Sequence, residues 1–159
     1  MTLKNFFKIS YSRKELLIFK FLLRVSLFKG LENKHLMKVL QQLNLRSYSK
    51  NEIVFYQNDP SQAIYIIKDG SVCLEKENES ECEIIRTLSE TQCFGEECLN
   101  QNQMREYTAR AKKEKTLLYI IPQSDLFQLI KQPEMRNIML VNFEKYYNIV
   151  AGYGLRVAG

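Results

Sequence analysis

The chain has 159 residues, 45% of them apolar, and a net charge of +5. That length predicts one domain, with enough apolar content for a core and too little for a membrane-embedded protein. The charge is uneven: residues 1–30 hold Lys4, Lys8, Arg13, Lys14, Lys20, Arg24 and Lys29 against Glu15 alone, so this arm carries +6 and the remainder −1. Such an arm suits an acidic partner, a membrane surface or nucleic acid, whereas the body has no whole-surface basic field.

The run "LLIFKFLLRVSLF" (Leu16 to Phe28) is interrupted by Lys20 and Arg24 and is shorter than the ~20 residues a bilayer requires. No small-residue cleavage site follows it, so a signal peptide is not expected. From Ser12 to Val25 the apolar and basic positions predict a helix packed on something, with an anionic membrane surface as the alternative role of its basic side. After Gly30, the spacing of Leu36, Val39, Leu40 and Leu43 predicts a second helix of about three turns, with His35 on its surface.

The period then changes. "EIVFYQ", "AIYIIKDG", "SVCLEKE" and "ECEIIRTL" are β-branched, aromatic-rich runs broken by turn residues, and "REYTARAK" and "KTLLYII" follow. All read as antiparallel strands of a rolled or sandwiched sheet, with Asp69-Gly70 as a hairpin turn. Pro122 ends the last strand, "SDLFQLIKQ" predicts a short helix, and Pro133 opens a final helix from Glu134 to about Val150. Its apolar positions, Tyr147 and Val150 among them, exceed one face, so it crosses the barrel or pairs with a second subunit. The predicted organisation is an arm over residues 1–26, a domain over 27–150 and a tail over 151–159.

The four cysteines (Cys73, Cys82, Cys93, Cys98) lack C-x-x-C spacing and His35 is the only histidine. Buried free thiols in a reducing cytoplasm are expected, without a metal. Nor does any nucleophile–base pair suggest an enzyme.

Chemistry concentrates in "CFGEECLNQNQMREYTARA" (Cys93 to Ala111). A glycine before a short turn lets backbone N–H groups converge on an anion. Glu96 is acceptor-only and suits a hydroxyl such as a ribose 2′-OH, while Arg105, read as opening a strand, offers a planar fork matched to a phosphate. Together they describe a sugar-phosphate site.

The run Phe94-Gly95-Glu96-x-Cys98-Leu99, then Arg105-x-x-Thr108 and Ala111, resembles the phosphate-binding cassette of cyclic-nucleotide-binding domains, as in the catabolite activator protein, the regulatory subunits of cAMP-dependent kinase and nucleotide-gated channels. The resemblance extends from Leu27 to about Leu140. It implies a mainly β, α+β fold: an eight-stranded antiparallel β-roll flanked by N-terminal helices and two C-terminal helices. It implies cAMP or cGMP as ligand, with Glu96 on the ribose hydroxyl, Arg105 on the cyclic phosphate, and the amides of Gly95, Glu97 and Cys98 completing a cradle that also takes in Glu106 and Thr108.

Two departures stand beside the match. Where the family keeps a small or hydroxylated residue and then an alanine, this chain has Glu106 and Tyr107. A carboxylate facing a phosphate at ~4 Å costs about 4 kcal/mol at an effective dielectric of about 20. Two family glycines are replaced by Asn51 and Thr91, and threonine takes a left-handed backbone poorly. Two readings follow: a working sensor that moves its flanking helices against a partner, or a ligand-free scaffold in which Arg105 pairs with Glu96 or Glu106 and Tyr107 plugs the space. A protein partner or a second copy is expected at the terminal helices. DNA reading is not expected, because no helix-turn-helix follows the last helix before Gly159.

Overall fold

The computed structural model describes residues 9–154, and side chains as far as Tyr146. The expectations for Lys4, Lys8, Tyr147, Val150 and residues 155–159 lie outside those bounds. Ser12 caps the first helix, α1 (Arg13–Leu22): its hydroxyl accepts from the Glu15 amide and the Glu15 carboxylate accepts from the Ser12 amide, a reciprocal capping box. A 3-10 turn (Ser26–Phe28) leads to α2 (Asn33–Gln42), and the C-terminal helices are α3 (Gln123–Ile130) and α4 (Pro133–Gly154).

Eight strands lie between: β1 (Asn44–Tyr48), β2 (Ile53–Phe55), β3 (Ala63–Asp69), β4 (Ser71–Glu77), β5 (Cys82–Ser89), β6 (Cys93–Phe94), β7 (Thr108–Ala111) and β8 (Thr116–Pro122). They form two antiparallel four-stranded sheets, ordered β1-β8-β3-β6 and β2-β7-β4-β5. Alternation along β3 explains how one sheet serves two cores. Ile64 and Ile66 face the helices, joining Phe19, Leu22, Leu36, Leu126 and Met139, while Ile67 and Tyr65 face the other sheet, among Phe55, Leu74, Leu88 and Phe94.

Three expectations need correction. Asp69-Gly70 does not close a hairpin, because β3 and β4 belong to different sheets; the chain crosses between sheets there. Gly70 does take a positive φ, at +97°, and glycine suits the crossing for a second reason: Thr116 Oγ1 would lie 2.6 Å from an added Cβ. His35 is not a surface residue: it is 5% exposed, and its Nε2 lies 3.0 Å from Glu134 Oε2, joining α2 to the start of α4. It neighbours Leu36 and Val39 on the face that packs, which the solvent-side assignment missed. Of the thiols, Cys73, Cys93 and Cys98 are buried, but Cys82 is exposed at the start of β5.

Asn51 and Thr91 both adopt the left-handed backbone that glycine would favour, with φ of +68° and +72°. Thr91 is held there by its amide, which donates to the Ile67 carbonyl at 2.8 Å. For a β-branched residue this is strained, so Thr91→Gly is expected to raise stability by about 1 kcal/mol in urea denaturation despite the looser unfolded chain.

Candidate ligand-binding site

Phe94 anchors the site from below: fully buried between the sheets, it stacks on Tyr65 with ring centroids 5.1 Å apart and an interplanar angle of 14°. Directly after it, Gly95 turns left-handed (φ +79°, ψ +22°) and starts the 3-10 turn Glu96–Leu99. No other residue fits here. A Cβ on Gly95 would stand 2.5 Å from Arg105 Nη1 and 3.0 Å from the Ala63 carbonyl. Gly95→Ala is therefore expected to cost about 2 kcal/mol in chemical denaturation, combining left-handed strain with displacement of the arginine.

Arg105 does not open a strand as expected. It lies in the segment between the isolated bridge Pro60–Met104 and β7, its amide donating to Asp59 O at 2.7 Å and its carbonyl accepting from the Asn58 amide at 2.8 Å. Its side chain runs inward and is 3% exposed. Nη1 donates to the Gly95 carbonyl at 3.1 Å, Nη2 to the Ala63 carbonyl at 2.8 Å, and the guanidinium lies over the Phe55 ring at 4.0 Å. Its acidic neighbour is neither Glu96 nor Glu106 but Glu97, whose Oε2 is 3.6 Å from Nη1. Among the described residues, Arg105 Nε is buried without a hydrogen-bond partner. A guanidinium has five donors, and two carbonyls leave capacity for an anion at the position Glu97 approaches.

Beside these residues lies a pocket of ≈ 250 Å³, lined by Phe55, Gly95, Glu96, Glu97, Glu106, Tyr107 and Phe143 among others; Arg105 does not itself line it and lies behind Gly95 and Glu97. A smaller cavity of ≈ 100 Å³, lined by Thr91, Cys93, Glu96 and Tyr146, adjoins it beneath α4. Glu96 borders both. Burial is the main cause that pushes its carboxyl up to about 7; its own amide and Arg86 oppose this, while Glu97 and Glu106 reinforce it. Glu97 is raised too, first by burial, with its own amide and Arg105 pulling the other way.

The remaining expected residues divide. Cys98 is buried, and its amide closes the turn onto the Gly95 carbonyl at 3.3 Å. Thr108 is also buried, and its Oγ1 accepts from the Gln57 amide at 2.9 Å, tying β7 to the β2–β3 loop. Neither lines the pocket. Glu106 is solvent-exposed. Tyr107 neither fills the space nor turns outward: half-buried, it packs on the inter-sheet core and forms one wall, with Lys76 Nζ 6.0 Å from its ring centre.

Sequence reasoning left unassigned the residues that roof the site. Tyr146 of α4 donates to the Cys93 carbonyl at 3.2 Å and accepts from Arg86 Nη2 at 3.4 Å. Asn142 Nδ2 donates to the carbonyls of Leu27 and Lys29 at 3.1 and 2.7 Å, clamping α4 to the N-terminal turn. Single polar or aromatic residues on a helix carry no pattern that would have named them.

A sequence model of the cyclic nucleotide-binding domain matches residues 45–133, more than half of the chain. The chain belongs to the cyclic nucleotide-binding domain family. A cAMP-dependent protein kinase regulatory subunit of Mycosarcoma maydis is 32% identical over 111 residues, covering 70% of this chain and 21% of that protein. Human cGMP-dependent protein kinase 2 is 24% identical over 135 residues, covering 84% of this chain and 16% of that one. Among solved structures, the catabolite activator protein of Thermus thermophilus superposes with a TM-score of 0.72 at 25% identity, covering 84% of this chain and 62% of that one. The matched part of the chain thus corresponds to about a fifth of the first kinase-related protein and about a sixth of the second. The eight-stranded β-roll with flanking helices is the fold these relatives share. Among the described residues no group of His, Cys, Asp or Glu is placed to hold a metal, and no helix is long and apolar enough to cross a membrane.

Proposed function

We propose that this chain is a regulatory module that binds a cyclic mononucleotide, cAMP or cGMP, between the Gly95–Leu99 turn and α4, and passes the binding event to a protein partner through its terminal helices. The observation that carries this reading is the open ≈ 250 Å³ pocket bordered by the Glu96 carboxylate, which persists despite Tyr107. Glu96 accepts from the ribose 2′-hydroxyl, and the fork of Arg105, freed from Glu97, meets the cyclic phosphate, with the amides of the turn around it. Glu106 is exposed, so its repulsion of the phosphate is screened well below the ~4 kcal/mol of a buried pair. Phe143 and Tyr146 then cover the base, and ligand shifts α4 only to the extent that it binds one placement better than another. The cytoplasm is the compartment consistent with such a role, residues 27–150 are its unit, and catalysis has no part in it.

A second reading draws on the bonds of Arg105 to Gly95, Ala63 and Glu97, which give it a structural role without any ligand. Titration calorimetry with cAMP, cGMP and a cyclic dinucleotide separates the two. The sensor reading expects heat with a mononucleotide, weakened by Glu96→Ala; no heat with any of them leaves a scaffold.

A further inference from the structure

We propose that the outer face of α1 is a docking surface for an anionic phospholipid membrane, independent of any nucleotide. The inner face of this helix is already spent: Phe19 and Leu22, with Val25 just beyond, are buried in the helical side of the core, which fixes the orientation of the rest. Outward, Leu16 (46% exposed), Leu17 (60%) and Leu23 (41%) stand in solvent together with exposed Arg13, Lys14, Lys20 and Arg24. Arg13, Leu17, Lys20 and Arg24 follow one another at helical spacing, and Leu16, Lys20 and Leu23 form the adjoining row. The only carboxylate on the helix, Glu15, is half-buried and engaged in the N-terminal cap. Among the described residues, Arg24 alone of the four cations meets an acid, Glu90, at 3.3 Å on the surface.

The interleaving selects the occupant. A protein groove that receives a helix reads a continuous apolar stripe, which this face lacks, because cations break up the leucines. A headgroup layer has the complementary order: leucine side chains enter between lipids while lysine and arginine stems reach the phosphates beside them. The absence of any free carboxylate on α1 fixes the sign of the charge it meets. Its sequence neighbours Lys4 and Lys8 carry the same sign.

Vesicle sedimentation of the full chain tests this, using phosphatidylcholine alone and with about one-fifth phosphatidylserine. Pelleting is expected only with the anionic vesicles, and it should fall at least about tenfold at roughly 0.5 M salt. Lys20→Glu and, separately, Leu16→Ser with Leu17→Ser should each weaken it by about tenfold, with thermal melting unchanged because all three side chains are exposed. Three results would overturn the proposal. One is no pelleting with anionic vesicles. Another is both variants pelleting like the parent, which would assign any binding to other cations. The third is a concentration-dependent dimer, seen by ultracentrifugation and dissolved by the leucine changes, in a chain that ignores vesicles.

Discussion

Arg105→Ala is expected to lower stability by about 3–5 kcal/mol and to abolish detectable cyclic-nucleotide binding in the molecules that remain folded. The first effect follows from what the guanidinium holds. Its removal takes the guanidinium donors from the Ala63 and Gly95 carbonyls, leaving the latter only the Cys98 amide at 3.3 Å, opens space against the Phe55 ring, and strands Glu97, whose side chain is only 19% exposed, without its counter-charge. Breaking a buried ion pair from one side costs more than the pair is worth, because a charge is left uncompensated. The second effect rests on the proposed phosphate contact, since a bidentate fork on a phosphate is the strongest single contact available to such a ligand. Arg105→Lys separates the two. It keeps the charge but offers a single-point ammonium that cannot reach both carbonyls, so about 2 kcal/mol of stability and about tenfold in affinity should go. Urea denaturation reads the first quantity and calorimetry at low temperature reads the second. A variant that loses stability while titrating nucleotide like the parent would make the arginine purely structural.

How much of this was legible in the sequence depends on the range over which each signal acts. Six strands and four helices could be read because β-branched alternation, apolar helical spacing, Ser12, Pro122 and Pro133 act within a few residues. β1 and β6 escaped for opposite reasons. In β1, Tyr48 alone is buried, so "NLRSY" shows no apolar alternation, whereas β6 is two residues long and has no period at all. Gly70 shows a local signal read correctly and placed wrongly: its backbone angle is written in the sequence, but which sheet the next strand joins is decided by pairings such as Val72 with Ala111, far along the chain. At the site, Gly95 and Glu96 were legible as a motif, yet the partner of Arg105 was not. Glu96 and Glu97 are adjacent in sequence, and only the direction in which the 3-10 turn aims each side chain distinguishes them. His35 was misplaced for the same reason, its acidic partner lying ninety-nine residues away.

Glu96→Gln is expected to flatten the dependence of stability on pH and to stabilise the protein above neutrality. Burial pushes the Glu96 carboxyl from 4.5 up to about 7, with Glu97 and Glu106 adding to the rise against the opposing pull of its own amide and Arg86. A folded-state value above the unfolded one means that the native protein holds this proton more tightly than the unfolded chain. The associated stability is therefore complete below about pH 4.5, declines as pH rises, and is gone above about 7. The shift corresponds to about 3 kcal/mol between those limits. Glu97, raised in the same direction, adds to the decline, whereas Glu134, lowered by Lys34 and His35, works the other way as pH rises. Glutamine keeps the shape and removes the charge, so at pH 8 it should raise the melting temperature by about 8 °C, and at pH 4 the two proteins should melt alike. Nucleotide affinity should move oppositely, falling about tenfold as a neutral amide replaces the charged acceptor of the ribose hydroxyl. Parallel melting curves for parent and variant from pH 4 to 8 would mean that the carboxylate is solvated after all. A gain in stability coupled to a loss in affinity would instead identify Glu96 as a charge kept in the pocket against the interest of the fold, for which a bound hydroxyl donor is the compensation.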